Sequence, residues 1–311
     1  MSAARTVISV VAPLMPPYVN PSGEQYEIAA GPYRAVIAGV GATLRELTHG
    51  DRPLIDGFGT GEMATGGRGQ LLVPWPNRIR DGRYRFDGSE LQLPLSEPSR
   101  GNASHGLVRW AGWGLLEHGA DRVRLEHSLH PQPGYPFSLR LRIVYALAAA
   151  GLQVSLEVLN AGAGEAPFGA GFHPYLVAGP GPVDGWRLQV PAEERLLTDD
   201  RMLPVGREAV DGRFDFRHSR PIGNLKLDTC FTRLSGSRIT VEGERRVELR
   251  IGEGFSHVMV FSGDGLAARA RMGLAVEPMT CAPDAFNSGD GLQVLAPGEE
   301  VKLDWGIAQG T

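Results

Sequence analysis

Residues 274–287 read LAVEPMTCAPDAFN: an apolar run carries one glutamate, Glu277, to its end, and Pro278, which follows at once, is expected to help stop the strand there. A carboxylate taken into apolar surroundings is costly unless it is partnered there. Either Glu277 meets a structural partner or its chemistry is wanted at that point. Residues 168–176, FGAGFHPYL, hold one histidine, His173, between Phe172 and Pro174. Gly169 and Gly171 allow a close backbone approach just before it. An imidazole titrates near neutral pH, so a fixed one serves as proton donor or acceptor. Together the two groups suit a reaction in which one proton is taken and another given. Each alone has a plainer reading: a glutamate in an ion pair, and a core histidine bonded to a carbonyl.

Three further stretches set polar groups beside Gly, Pro and aromatics. In LLVPWPNRIRDGRYRFDG, residues 71–88, two prolines bracket Trp75, and Asn77 and Arg78 follow. Proline fixes the backbone, so this turn holds an indole and a guanidinium in place. Indole faces suit the apolar faces of sugars, and the guanidinium fork suits hydroxyls and anions. The plain alternative is a structural turn with Arg78 in a salt bridge. In GNASHGLVRWAGW, residues 101–113, His105 precedes a glycine and an expected strand; in LKLDTCFTRL, residues 225–234, Asp228 sits in an alternating run. Either could be structural, His105 by a hydrogen bond and Asp228 by capping a turn.

The chemistry that is missing narrows the field. There is no GxSxG elbow, no GxxxxGK[ST] loop and no HExxH, which removes the usual signs of serine hydrolases, nucleotide-driven enzymes and common zinc enzymes. Neither Cys230 nor Cys281 lies in a CxxC, and two cysteines make no disulfide framework. No metal and no cofactor are expected. A reduced, cytoplasmic home fits the cysteine usage. The net charge is −4 with no long basic run, so no nucleic-acid partner is expected. No apolar run nears the roughly 20 residues needed to cross a bilayer. The apolar residues 7–14 have a proline inside and no clear cleavage site after them, so a leader is not expected.

The elements that must position these groups read as strands. Val123, Leu125 and Leu129 alternate with mostly charged or polar neighbours, as do Leu139 through Leu147, Leu152 through Val158, Val247 through Ile251 and Val301 through Ile307. This is the period of strands with one dry and one wet face. The turn in LAAAGLQ predicts a hairpin between two of them. No amphipathic helix of three turns is visible. The 311 residues, with 42 glycines and 23 prolines, predict an antiparallel all-β fold in one domain, residues 1–311, with sheets packed face to face. Residues 179–224 show few strand signals and read as long loops across one face.

Taken in order, these stretches resemble the aldose 1-epimerase, or galactose mutarotase, family. The likeness runs over nearly the whole chain. It is carried by GATLRELTHGDRPLIDGF, PNRIRDGRYRFDG, NASHG, GFHPY, Leu227-Asp228, and VEP with PDAFN. The resemblance implies an antiparallel β-supersandwich with an open carbohydrate cleft and interconversion of the α and β anomers of a free aldose without a cofactor. Matched by position, Glu277 is the catalytic base and His173 the catalytic acid. Arg78, His105 and Asp228, with Asn77 and Trp75 beside them, hold sugar hydroxyls. Trp75 stands where many relatives carry phenylalanine.

Mutarotation removes a proton from O1, adds one to O5, breaks C1–O5 and recloses the ring after rotation about C1–C2. A carboxylate and an imidazolium on opposite sides of that bond would suffice. Rival readings are a glycosidase using Asp228 as second carboxylate, an epimerase for a phosphorylated or sulfonated hexose using cations from residues 213–221, and a sugar-binding module without catalysis. The partner in each is a small sugar. Either a monomer or a homodimer is compatible with the sequence.

Overall fold

The computed structural model describes residues 19–310. The apolar stretch at 7–14 lies outside the described residues. Among them the α-helix amounts to the single turn Ala285–Ser288, and none is long and apolar enough to cross a membrane.

The alternating runs are strands: Arg122–Leu129, Leu139–Ala148, Gly151–Asn160, Arg246–Ile251 and Glu300–Gln309. Along Leu139–Ala148 every second side chain is buried. Each fully buried Leu, Ile or Val in such a row contributes about 1.5–3 kcal/mol. The expected hairpin is present, with Ala148 opposite Gly151. Gly151 has φ +113°, and a Cβ there would lie 2.5 Å from the Ile307 carbonyl oxygen, so only glycine fits the turn.

These strands belong to a nine-stranded antiparallel sheet that runs from Gly114–His118 to Arg220–Pro221. A second antiparallel sheet centres on Asp228–Leu234, His257–Phe261 and Leu274–Met279. The two share one apolar core. Phe172 of the second sheet meets Trp305 of the first at a centroid distance of 4.9 Å. A four-stranded sheet, Gln25–Ala30 to Arg52–Pro53, precedes them.

Two expectations need correction. Residues 179–224 are not only loops: Ala192–Thr198 and Pro204–Ala209 pair and form the edge of the second sheet. Their alternation is hidden because charged side chains pair along them, Arg195 with Glu208 and Arg207 with Glu194. The Leu274–Met279 strand does not stop at Glu277 either. Pro278 lies inside it, opposite Val258, and all six residues are buried.

Pro278 breaks the neighbouring strand instead of its own. The amides of Val276 and Thr280 donate to the carbonyls of Pro174 and Ala170. Strand periodicity would make residue 278 the donor between them, and proline has no N–H. At that gap the partner chain splits into Gly171–Phe172 and Tyr175–Leu176. His173 occupies the break.

Candidate active site

Glu277 and His173 meet at the bottom of a cleft of about 680 Å³. The Glu277 Oε1–His173 Nε2 distance is 3.3 Å. Glu277 is 2% exposed and His173 5%. The register that sets Glu277 opposite Met259 fixes the carboxylate from one side. His173 is clamped through its backbone: its N–H donates to the Gln70 carbonyl at 3.0 Å, and its carbonyl accepts from Gly69 N–H at 2.9 Å. Gly67 lies against the ring, where a Cβ would fall 2.8 Å from Nε2. The expectation of acid and base on opposite sides of the sugar bond is therefore corrected to a pair in direct contact.

Burial governs the charge of this pair. It raises the Glu277 carboxyl well above its usual range; nearby Asp228 adds to the effect and Arg78 opposes it. It pushes the His173 imidazole down to about 3, a direction that the guanidiniums of Arg109 and Arg68 reinforce. Both shifts disfavour charge on the pair in the empty cleft and favour the tautomer with its proton on Glu277. Glu277 Oε2 and His173 Nδ1 are buried with no hydrogen-bond partner.

Around this pair the structure brings together Asn77, Arg78, His105 and Asp228, all of which line the cleft. Arg78 forms a two-pronged ion pair with Glu97, Nε to Oε2 at 2.7 Å and Nη2 to Oε1 at 3.0 Å. Burial opposes charge on Glu97, but the Arg78 fork outweighs it and holds the carboxyl below its ordinary value. Asn77 is left-handed at φ 54°, a conformation asparagine tolerates. Its carbonyl accepts the His105 N–H at 2.7 Å. The His105 ring stands edge-on to His173, 5.5 Å between centroids, and its Nδ1 is buried without a partner. Burial lowers the His105 imidazole well below its usual value. Asp228 opens its strand opposite Phe261. Burial raises its carboxyl, against the pull of Arg78 and Arg100.

Trp75 is not brought to the cleft. It is 2% exposed and packs edge-on against Phe286, 5.8 Å between centroids. The prolines on either side turn the indole inward, so it supports the segment that carries Arg78. The PDAFN turn has the same office. The Asp284 carboxylate accepts the Arg80 N–H at 2.9 Å, and Asn287 Nδ2 donates to the Arg83 carbonyl at 3.0 Å. Phe286 also packs on Tyr84. The close approach at Gly169 and Gly171 is to the protein's own Cys281 and Pro76. Cys230 and Cys281 are buried, and burial pushes the Cys281 thiol up to about 12.

Several cleft residues carried no readable signal. Glu97 holds Arg78 from a turn that spacing alone does not assign. Arg109 and Trp110 line the cleft because the chain turns there, Ala111 N–H to the Val108 carbonyl, where a strand is expected after His105. Residues 213–221 stay out of the cleft, with Arg217 locked by Asp215 and Glu193. Among the described residues no cluster of three or more His, Cys, Asp or Glu side chains could hold a metal ion.

Comparison with known proteins places these features in a wider set. A family model described as aldose 1-epimerase matches residues 24–307. The uncharacterized protein YihR of Escherichia coli (strain K12) is 38% identical over 290 residues, covering 92% of this chain and 93% of that protein. The GalM/aldose epimerase homologue from C. elegans superposes with a TM-score of 0.82 at 20% identity, covering 93% of this chain and 99% of that one. A galactose 1-epimerase from Lactobacillus acidophilus NCFM superposes at 0.75 with 21% identity, covering 90% and 92%. At these identities the structural likeness speaks for the shared fold, a galactose mutarotase-like β-supersandwich.

Proposed function

The chain belongs to the aldose 1-epimerase family, and on that premise we propose that it interconverts the α and β anomers of a free aldohexose at Glu277 and His173. The observation that carries the reading is the 3.3 Å contact of the two groups at the floor of an open cleft. O1 and O5 are both bonded to C1, so an acid and a base standing side by side reach both oxygens from one face. Glu277 as carboxylate takes the O1 proton while His173 as imidazolium gives one to O5. The C1–O5 bond breaks, C1 becomes an aldehyde, and rotation about C1–C2 presents its other face. Reclosure runs the transfers backwards. The pair holds one proton before and after, so no cofactor is needed to balance the cycle.

Burial favours the tautomer with the proton on Glu277, and the working one differs from it by a single transfer across that contact. Sugar hydroxyls donated to Glu277, together with the nearby Arg78 guanidinium, favour the carboxylate and hence the working form. Arg78, His105, Asp228 and Asn77 supply donors and acceptors for the ring hydroxyls. Polarimetry or exchange NMR on glucose and galactose measures the anomerisation rate directly. A Glu277→Gln protein that equilibrates anomers at the wild-type rate would overturn the reading.

A second reading, an epimerase for a phosphorylated or sulfonated hexose, is favoured by Arg109. Its guanidinium lines the cleft, burial lowers its basicity, and no carboxylate pairs with it among the described residues. An anionic substituent would complete it. Rates on glucose, galactose, glucose 6-phosphate and a sulfonated hexose decide between the two. An Arg109→Gln protein that loses rate only on the anionic sugars would favour the second.

A further inference from the structure

We propose that Arg68 is a positioning residue for His173: clamped by Asp56 and laid over the Tyr175 ring that stacks on the imidazole, it fixes the plane of that imidazole and the side of the Glu277–His173 pair on which their shared proton rests. The inference rests on the acid–base reading above.

The arrangement is built and buried. Arg68 Nε donates to Asp56 Oδ2 at 2.8 Å, and both side chains are almost wholly out of solvent. Arg68 Nη1 donates to the Thr65 carbonyl at 2.9 Å. The guanidinium carbon sits 5.1 Å from the Tyr175 ring centroid. Tyr175 and His173 stack with centroids 5.1 Å apart and planes 15° apart. Tyr175 is pinned at both ends: its hydroxyl donates to the Gly66 carbonyl at 2.7 Å, and its own carbonyl accepts the Asp56 N–H at 2.7 Å.

Neither Arg68 nor Asp56 lines the cleft, so contact with the sugar does not account for them. A buried ion pair is often no more stabilising than apolar packing of the same volume. A fixed cation behind the imidazole does have an electrostatic consequence, since it disfavours the imidazolium. The groups that face His173 are Glu277, His105 edge-on, Tyr175 stacked, and the cations Arg109 and Arg68. Arg109 faces the cleft, where a substrate can meet it. Arg68 lies behind the ring, and its influence persists through the cycle.

The Arg68→Gln variant removes the cation, while Asp56 keeps Arg269 as a partner. His173 is followed by NMR titration of its ring in the ligand-free protein, with His173→Gln giving the assignment. The expected midpoint rises by about 1 pH unit. Anomerisation kcat is expected to fall about 10- to 100-fold with KM nearly unchanged. Arg68→Lys keeps the cation without the fork; its His173 midpoint should stay near wild type while kcat falls less. Tyr175→Phe, which keeps the ring, should retain most of kcat. Should Arg68→Gln not fold, Tyr175→Leu carries the positioning test, and unchanged kcat in it overturns that role. An unmoved His173 midpoint in folded Arg68→Gln overturns the proposal, and so does equal loss of kcat in the Gln and Lys variants with no movement in either. If the wild-type protein anomerises no sugar, the acid–base reading fails, yet the titration still decides the stack.

Discussion

On the nine-stranded sheet, carboxylates face guanidiniums across strands; in the cleft of the second sheet, several buried polar atoms gather around one carboxyl–imidazole pair without partners. Glu126 faces Arg142 in register, and their side chains meet at 2.7 Å. Arg124 reaches Glu157 at 3.1 Å. Even the buried Glu248 has Arg238, Arg246 and Arg250 around it. In the cleft, Glu277 Oε2, His173 Nδ1 and His105 Nδ1 are buried with no partner. An unmet buried polar atom costs about 1–3 kcal/mol. Three such atoms lie around the pair proposed above to do the chemistry. On the proposed function, the contrast separates residues kept for stability from residues kept for chemistry.

The sharpest way to break that contrast is Glu277→Gln. Activity should fall by about 10²–10⁴-fold, and the thermal midpoint should rise. The sign follows from the direction of the shift. The folded carboxyl titrates well above its ordinary value, so its contribution to stability is full below that ordinary value. It is given up as the pH climbs from there through the folded one. Glutamine does not titrate, and its advantage should grow over that range. Melting curves at several pH values check it; a destabilised Glu277→Gln protein would show that Glu277 is structural.

Next in size is the acid side of the pH–rate profile. With the His173 imidazole pushed down to about 3, kcat/KM of the free protein should show no loss centred on the ordinary histidine value. Stability behaves differently. The unfolded histidine binds a proton from its ordinary value downward and the folded one does not. Stability from this group is therefore present above the ordinary value and falls as the pH drops toward the folded one. An acid limb in the usual imidazole range would mean that His173 is charged at rest.

Glu97→Gln tests a charge that is met inside the cleft. Arg78 would lose its two-pronged partner and swing, with kcat/KM expected to fall about tenfold or more. Most of the change should lie in KM, because on the proposed function Arg78 holds hydroxyls and transfers no proton. Steady-state rates against sugar concentration separate the two.

The same contrast explains what was legible in the sequence. The nine-stranded sheet could be read because one wet and one dry face impose a period of two on residues such as Leu141, Ile143 and Tyr145. Ala192–Thr198 was hidden because Glu193, Glu194 and Arg195 interrupt that period, and their partners come from other strands. Glu277 and His173 stood out as polar residues in apolar surroundings. Glu97 and Arg109 did not, because turns bring them in and turns carry no period. Trp75 misled: an indole between prolines fits a sugar platform and a core anchor equally well, and only the position of Phe286 decides. Pro278 does signal a break, but in the neighbouring strand and not in its own. A missing N–H harms the partner strand on that side, and the side cannot be known before the pairing is.

The smallest effect belongs to the sheet where charge is met. Glu157→Gln takes the partner from Arg124, at a pair whose side chains are about one-third exposed. Water replaces much of what is lost, and salt already screens the rest, so stability should change by less than about 1 kcal/mol. Anomerisation should not change, since Glu157 does not line the cleft. Melting in low and high salt gives the first number and polarimetry the second. A large, salt-insensitive loss at Glu157 would mean that a paired charge on this sheet carries as much stability as a buried one, and the division between the two regions would have to be drawn elsewhere.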